Sequence, residues 1–199
     1  MRKRLLVVIA FVSVVLAACA PGAFKPDHKY KIEDFTFDSH RGEKVSLDDL
    51  KGDVWLAQFV FTNCTTVCLP MMANMTELQD MMEKEGLEDY HIVSFSVDPA
   101  VDTPERLAEY LEGYHPVDES KWEMLTGYSQ EFIEKFAVDS FRQIVIDDPE
   151  SDQVIHGTAF ILVDQNGVAV KTYGGVQFDG TREEHFSQII EDMKKLQQS

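Results

Sequence analysis

Apolar positions in this chain recur with two different periods, and the alternation between them outlines a layered α/β domain. Val54-Trp55-Leu56-Ala57-Gln58-Phe59-Val60-Phe61 is a nearly unbroken apolar run, the pattern of a strand buried on both faces. Thr62, Asn63 and Cys64 follow as polar residues able to cap a helix. Beyond them Met71, Met72, Met75, Leu78, Met81 and Met82 fall at three-to-four spacing, which predicts a helix ending near Gly86. Residues 91–97 predict a second strand stopped by Asp98-Pro99. Thr103-Pro104-Glu105 places a capping residue before a first-turn proline and predicts a helix to about Gly113. A short strand over 122–125, a short helix over 129–136 and a hairpin insertion over 142–155 come next. Strands over 158–164 and 168–173 flank Gln165-Asn166-Gly167, a turn sequence that accepts positive φ, and an amphipathic helix over 181–196 closes the chain. This order is that of a thioredoxin-like fold. It predicts a central mixed sheet flanked by helices, with the hairpin inserted before the loop that bears His156.

The first twenty residues follow a different rule. Arg2, Lys3 and Arg4 precede an apolar run from Leu5 that reaches Ala18 with only Ser13 interrupting it. Fourteen residues fall short of the ~20 needed for a helical membrane span, so an export signal is expected. Leu16-Ala17-Ala18-Cys19 is similar to a bacterial lipobox, in which the cysteine is lipidated and becomes the new N-terminus. The expected organisation is a lipoprotein signal peptide over 1–18, a lipidated Cys19 and tether over 19–31, and one folded domain over 32–199. Two acyl chains on Cys19 suffice for stable anchoring, which predicts a protein held on the extracytoplasmic face of the cell membrane.

Charge narrows the choice of partner. The chain has 199 residues with 35 acids against 18 bases, a formal charge of −17. That balance sets nucleic-acid partners aside. Residues 77–152 hold 21 acids and five bases, either a solvated face or a docking surface for a basic partner.

Of three cysteines, Cys19 belongs to the anchor, so only Cys64 and Cys68 remain for the folded body. Two cysteines four apart in an exported chain call for a metal or redox explanation, not a disulfide framework. On a helix their Cβ atoms would lie ~5–6 Å apart on one face, close enough for both sulfurs to meet one metal ion. A helix N-terminus also favours thiolate, the form that ligates metal and attacks disulfides. Two thiolates leave most transition-metal sites incomplete. Of the six histidines, His156 is placed best, just before the strand expected to pack against the cysteine-bearing turn. A Cys₂His set suits copper in either oxidation state and also zinc.

Phe61-Thr62-Asn63-Cys64 with Cys68, then Ser96-Val97-Asp98-Pro99 with Asp102-Thr103-Pro104, then His156 before a strand ending at Asp164, resembles the Sco/SenC family over roughly residues 30–197. The resemblance implies a thioredoxin-like protein that serves copper insertion into the dinuclear copper centre of cytochrome c oxidase. It implies Cys64, Cys68 and His156 as copper ligands, Asp98 on the functional surface, and the copper-bearing oxidase subunit as partner. Where the family often has Asp before its His, this chain has Ile155, and Gly157 replaces the following Ser or Thr. No carboxylate from position 155 can therefore orient the imidazole. A second reading is a thiol–disulfide oxidoreductase in which Cys64 and Cys68 keep the oxidase copper-site cysteines reduced, itself served by a thiol–disulfide reductase. Such enzymes usually carry Cys-x-x-Cys, so the wider spacing counts against it.

Overall fold

The computed structural model describes residues 23–147, 151 and 153–199, so the expected export segment, Cys19 and most of the acidic turn near Pro149 lie outside the described residues. The elements in chain order begin with β1 (Tyr30–Lys31), β2 (Thr36–Ser39), β3 (Lys44–Ser46), β4 (Val54–Val60), α1 (Cys68–Lys84), β5 (Tyr90–Ser96) and α2 (Pro104–Glu112). They continue with β6 (Trp122–Thr126), α3 (Gln130–Phe141), β7 (Val145–Asp147), β8 (Val154–His156), β9 (Ala159–Val163), β10 (Val168–Gly174) and α4 (Arg182–Gln197). Eight strands form one sheet in the order β1-β10-β9-β4-β5-β6-β2-β3, while β7 and β8 make a separate two-stranded ribbon. β4, β5 and β6 run parallel; β9 pairs antiparallel with β4 on the other side. The thioredoxin-like arrangement expected from the element order is present, with the hairpin inserted where predicted.

Every residue of β4 is buried, as its sequence requires of a central strand. Gln58, the polar break in that run, donates to Ser94 Oγ at 2.9 Å and to the Met72 sulfur at 3.3 Å. Met71, Met72 and Met75 are fully buried, so their helical spacing marks core packing. Phe95 on β5 sits among the rings of Phe35, Phe37, Phe59, Phe136 and Phe141 at centroid separations of 5.5 to 6.4 Å.

Several boundaries differ from the sequence pattern. Tyr30 and Lys31, grouped there with the tether, pair with Ala169 and Val168 on the edge strand β10. The backbone N–H groups of Asp27 and His28 both donate to the Val170 carbonyl. β2 and β3 were not apparent because they are short and mix polar with apolar positions. α3 runs on to Phe141 and ends when Arg142 turns left-handed at φ 56°. In the β9–β10 turn only Gly167 of the Asn-Gly pair has positive φ. The Asp164 carboxylate accepts from the N–H groups of Asn166 and Val168, both at 2.9 Å.

Asp102 joins three segments beneath the end of β4. It is fully buried, and its carboxylate accepts from Thr62 Oγ1 and Ser96 Oγ, both at 2.6 Å, and from the Thr62 N–H at 3.3 Å. Burial nonetheless pushes its pKa above the ordinary value, with the Ser96 and Thr62 hydrogen bonds opposing that shift. The chain therefore leaves β4 with Thr62 pinned to the start of α2, two residues before Cys64.

Phe95→Ala should lower stability by about 3–5 kcal/mol, since the surrounding rings cannot close the cavity; urea unfolding at equilibrium measures it. Asp102→Ala, which orphans three donors, should cost about 2–4 kcal/mol in the same assay. A loss under ~1 kcal/mol would mean that water replaces the carboxylate.

Candidate metal centre

Between β4 and α1 the chain makes a turn, not the first coil of a helix. The Cys64 N–H reaches back to the Phe61 carbonyl at 3.4 Å, and α1 begins only at Cys68, after Val67. The expectation that both cysteines share one helical face is thus corrected: Cys64 lies in the turn and Cys68 is the first helical residue. The physical reason is visible in the hydrogen bonding. The first N–H groups of a helix lack partners within it, and the Cys68 N–H donates to Cys64 Sγ at 3.3 Å. The sulfur thereby caps the helix, and the attraction of a helix start for negative charge becomes one specific bond.

Both thiols are buried and unbridged. Their environments push them in opposite directions. A hydrogen bond from the Cys68 thiol is the largest influence pulling Cys64 far below the ordinary thiol value; the backbone N–H groups of Thr66 and Cys68 add to it against the cost of burial. Cys68 is raised by the same bond to Cys64 and by its own burial. The pair is asymmetric: its surroundings pull Cys64 toward the thiolate and Cys68 toward the protonated thiol.

His156 is the last residue of β8, not part of a loop after it, and it is paired with Val145. Its Nε2 lies 3.2 Å from Cys68 Sγ. Its Nδ1 donates to the Gly157 carbonyl at 2.9 Å, which assigns the proton to Nδ1 and leaves the Nε2 lone pair facing the sulfurs. The Phe61 ring meets the imidazole edge-on at 5.7 Å. A backbone carbonyl and a ring therefore orient the imidazole, as no carboxylate at 155 does. Gln153 on the same ribbon donates to the Asn63 carbonyl at 3.2 Å and fastens the ribbon to the cysteine turn.

The donor atoms of Cys64, Cys68 and His156 all lie within 4.8 Å of one another. An ion held at ~2.3 Å from sulfur and ~2.0 Å from nitrogen, at angles of about 109–120°, sets its donors about 3.5–4.0 Å apart, so the three draw together on binding. Two soft sulfurs and one imidazole suit copper or zinc, and three protein ligands leave a further position open. Other histidines are engaged elsewhere: His28 with Ala169 and Thr172, His91 with Asp53, His185 with Gly174.

Asp98 is not one of the clustered donors. It is part-buried at the end of β5, where its carbonyl accepts from the N–H groups of Val101 and Asp102. Burial raises its carboxyl first, and the neighbouring charges of Asp102 and Asp147 raise it further. Asp102 stands in the sequence only as part of the Asp102-Thr103-Pro104 motif, with no role of its own. Its place in Asp-Thr-Pro, ahead of a helix start, reads as capping, and only the tertiary structure brings it under Thr62.

The SCO1/SenC family profile matches residues 25–195. The SCO1 protein homolog of Bacillus subtilis (strain 168) is 45% identical over 179 residues, 90% of this chain and 89% of that protein. Among solved structures, a SCO1/SenC family lipoprotein from Bacillus anthracis str. Ames matches with a TM-score of 0.79 at 48% identity, over 86% of this chain and 97% of that one. BsSco, described as a member of the Sco family of cytochrome c oxidase assembly proteins with a disulfide switch, gives 0.77 at 44% identity, over 89% and 99% of the two chains. Bradyrhizobium japonicum ScoI, solved with copper bound, gives 0.66 at 25% identity, over 83% and 99%. With the profile covering nearly all of the described fold, this chain belongs to the SCO1/SenC family.

Proposed function

We propose that this protein is a copper metallochaperone for the dinuclear copper centre of cytochrome c oxidase, taking the metal on Cys64, Cys68 and His156. The observation that carries the reading is the buried triangle of two sulfurs and one imidazole nitrogen, on a chain of a family whose members include an oxidase assembly protein and a copper-bound structure. Thiolates suit Cu(I) and imidazole suits Cu(II), so this set holds either state.

Each residue has a distinct part. Cys64 presents a sulfur already deprotonated, and Cys68 gives up its proton when metal arrives, which makes uptake release acid. His156 offers Nε2 because Gly157 holds the Nδ1 proton. Delivery is ligand exchange at constant oxidation state: recipient donors replace these three, and protons leaving the recipient balance those regained here. Asp98 belongs to the surface around this site.

Among the described residues no helix is long and apolar enough to cross a membrane. Lipidation of Cys19 would hold the domain at the outer face of the cell membrane, beside the copper-bearing oxidase subunit. The lipobox-like sequence and a lipoprotein among the structural relatives support this.

The thiol asymmetry favours one second reading. A depressed Cys64 beside a proton-holding Cys68 is also a nucleophile with its partner, as a thiol–disulfide oxidoreductase for the oxidase cysteines requires.

His156→Ala should weaken copper binding by more than the ~10–100-fold that follows loss of a metal ligand's hydrogen-bond partner, read by competition with a chelator of known affinity. Unchanged affinity, with target reduction retained, would move the assignment to the oxidoreductase. In the metal-free, reduced protein, alkylation located by mass spectrometry should modify Cys64 at nearly equal rates at about pH 8 and about pH 6. A depressed pKa keeps the thiolate present as pH falls, whereas an ordinary thiol slows about tenfold per unit below its pKa. A tenfold loss per unit at Cys64 would contradict the thiolate assignment.

A further inference from the structure

The ribbon that carries His156 is apolar on the face turned away from the site. Val145, Val154 and His156 point inward, as the alternation of a strand dictates. Ile144, Ile146 and Ile155 point outward and are 59%, 50% and 60% exposed. Ile146 lies directly opposite Ile155, and Ile144 is two residues from Ile146 on the same face, so the three form one patch. A strand pair with one face toward water normally carries polar residues there. Three branched apolar side chains standing out from a ribbon that is not part of the main sheet mark a surface that is covered in use.

The ribbon is also one wall of an opening to the donor atoms. A groove of 330 Å³ runs between the cysteine turn and the ribbon, lined by Val67, Ile155, His156 and Thr158 among others. Ile155 borders both the groove and the outer patch. A molecule seated on the isoleucines therefore lies beside the opening that leads to His156.

Charge restricts what that molecule can be. Residues 144–156 contain Asp147, Asp148, Glu150 and Asp152 and no Lys or Arg. Asp147 adds to the negative field already felt by Asp98. A second copy docked face to face would bring two segments of like charge together. An anionic membrane surface would be repelled in the same way.

We infer that Ile144, Ile146 and Ile155 form the docking surface for the metal recipient, a folded protein presenting an apolar patch bordered by Lys and Arg. The surface rests on the chaperone reading above and adds to it where the recipient sits. Apolar contact supplies the hold, and the net negative charge of this segment supplies orientation and encounter rate. Because the patch is the outer face of the strand whose inner face holds His156, docking and ligand exchange occur at the two sides of one backbone.

The test uses the detergent-solubilised full chain and, as probe, the metal-free soluble copper-binding domain of the oxidase subunit. Association is measured by isothermal titration with the metal-free donor, and copper affinity separately by chelator competition. Combined Ile144→Ser, Ile146→Ser and Ile155→Ser should weaken association at least ~tenfold and leave copper affinity unchanged. Asp147→Lys, at an exposed position, should weaken association as well, and its salt dependence should be smaller than that of the wild type. Association unaffected by both variants overturns the surface. So does a wild-type dimer that the serine substitutions dissociate, or binding to anionic vesicles that they abolish. Failure of the wild type to bind copper would count against the chaperone reading alone, since association is read without metal.

Discussion

Ala57 on β4 faces Ile161 on β9, and because the two strands run antiparallel, the end of one lies beside the beginning of the other. The chain leaving β4 makes the cysteine turn; the chain about to enter β9 carries His156. Residues 88 positions apart in sequence, Cys68 and His156, meet at 3.2 Å because of that register. A shift of one residue would exchange the two faces of β9 and separate the imidazole from the sulfurs. The wholly buried β4 and the buried residues 160–163 of β9 make such a slip expensive, so the core that holds the sheet together also fixes the chemistry at its end.

Burial has two opposed effects at this end of the molecule. It disfavours charge on both thiols and on the Asp102 carboxyl. Directed hydrogen bonds then select where negative charge survives: the first N–H of α1 and the Cys68 thiol converge on Cys64, and the hydroxyls of Thr62 and Ser96 converge on Asp102. The result is one reactive sulfur in an otherwise apolar pocket, backed by a buried carboxyl that locks the preceding turn.

The parts legible in the sequence were those set by strong local periodicity or by fixed chemistry. The run at β4, the methionine spacing of α1 and the Thr-Pro start of α2 each have one physical reading. Cys64, Cys68 and His156 stood out by residue type and order. What escaped was set by distant contacts. β1 is two residues long and exists because β10 offers an open edge. The start of α1 was misplaced because polar residues suited to capping occur at Thr62 and Asn63, while the cap actually used is a sulfur. Asp102 looked like ordinary helix punctuation, since nothing local tells that Thr62 will lie against it. Ile155 was noted only as a missing carboxylate, and its exposure beside Ile146 is a property of the folded ribbon.

The three donors do not belong to one mechanical body. Cys64 and Cys68 are built into the junction of the main sheet and α1, whereas His156 is carried by a two-stranded ribbon outside that sheet. A two-stranded ribbon on its own is marginal in water and opens at lower free energy than a central strand. The donor count at the metal, three or two, therefore depends on the contacts that seat this ribbon: buried Val145 and Val154 against the core, and Gln153 on the Asn63 carbonyl.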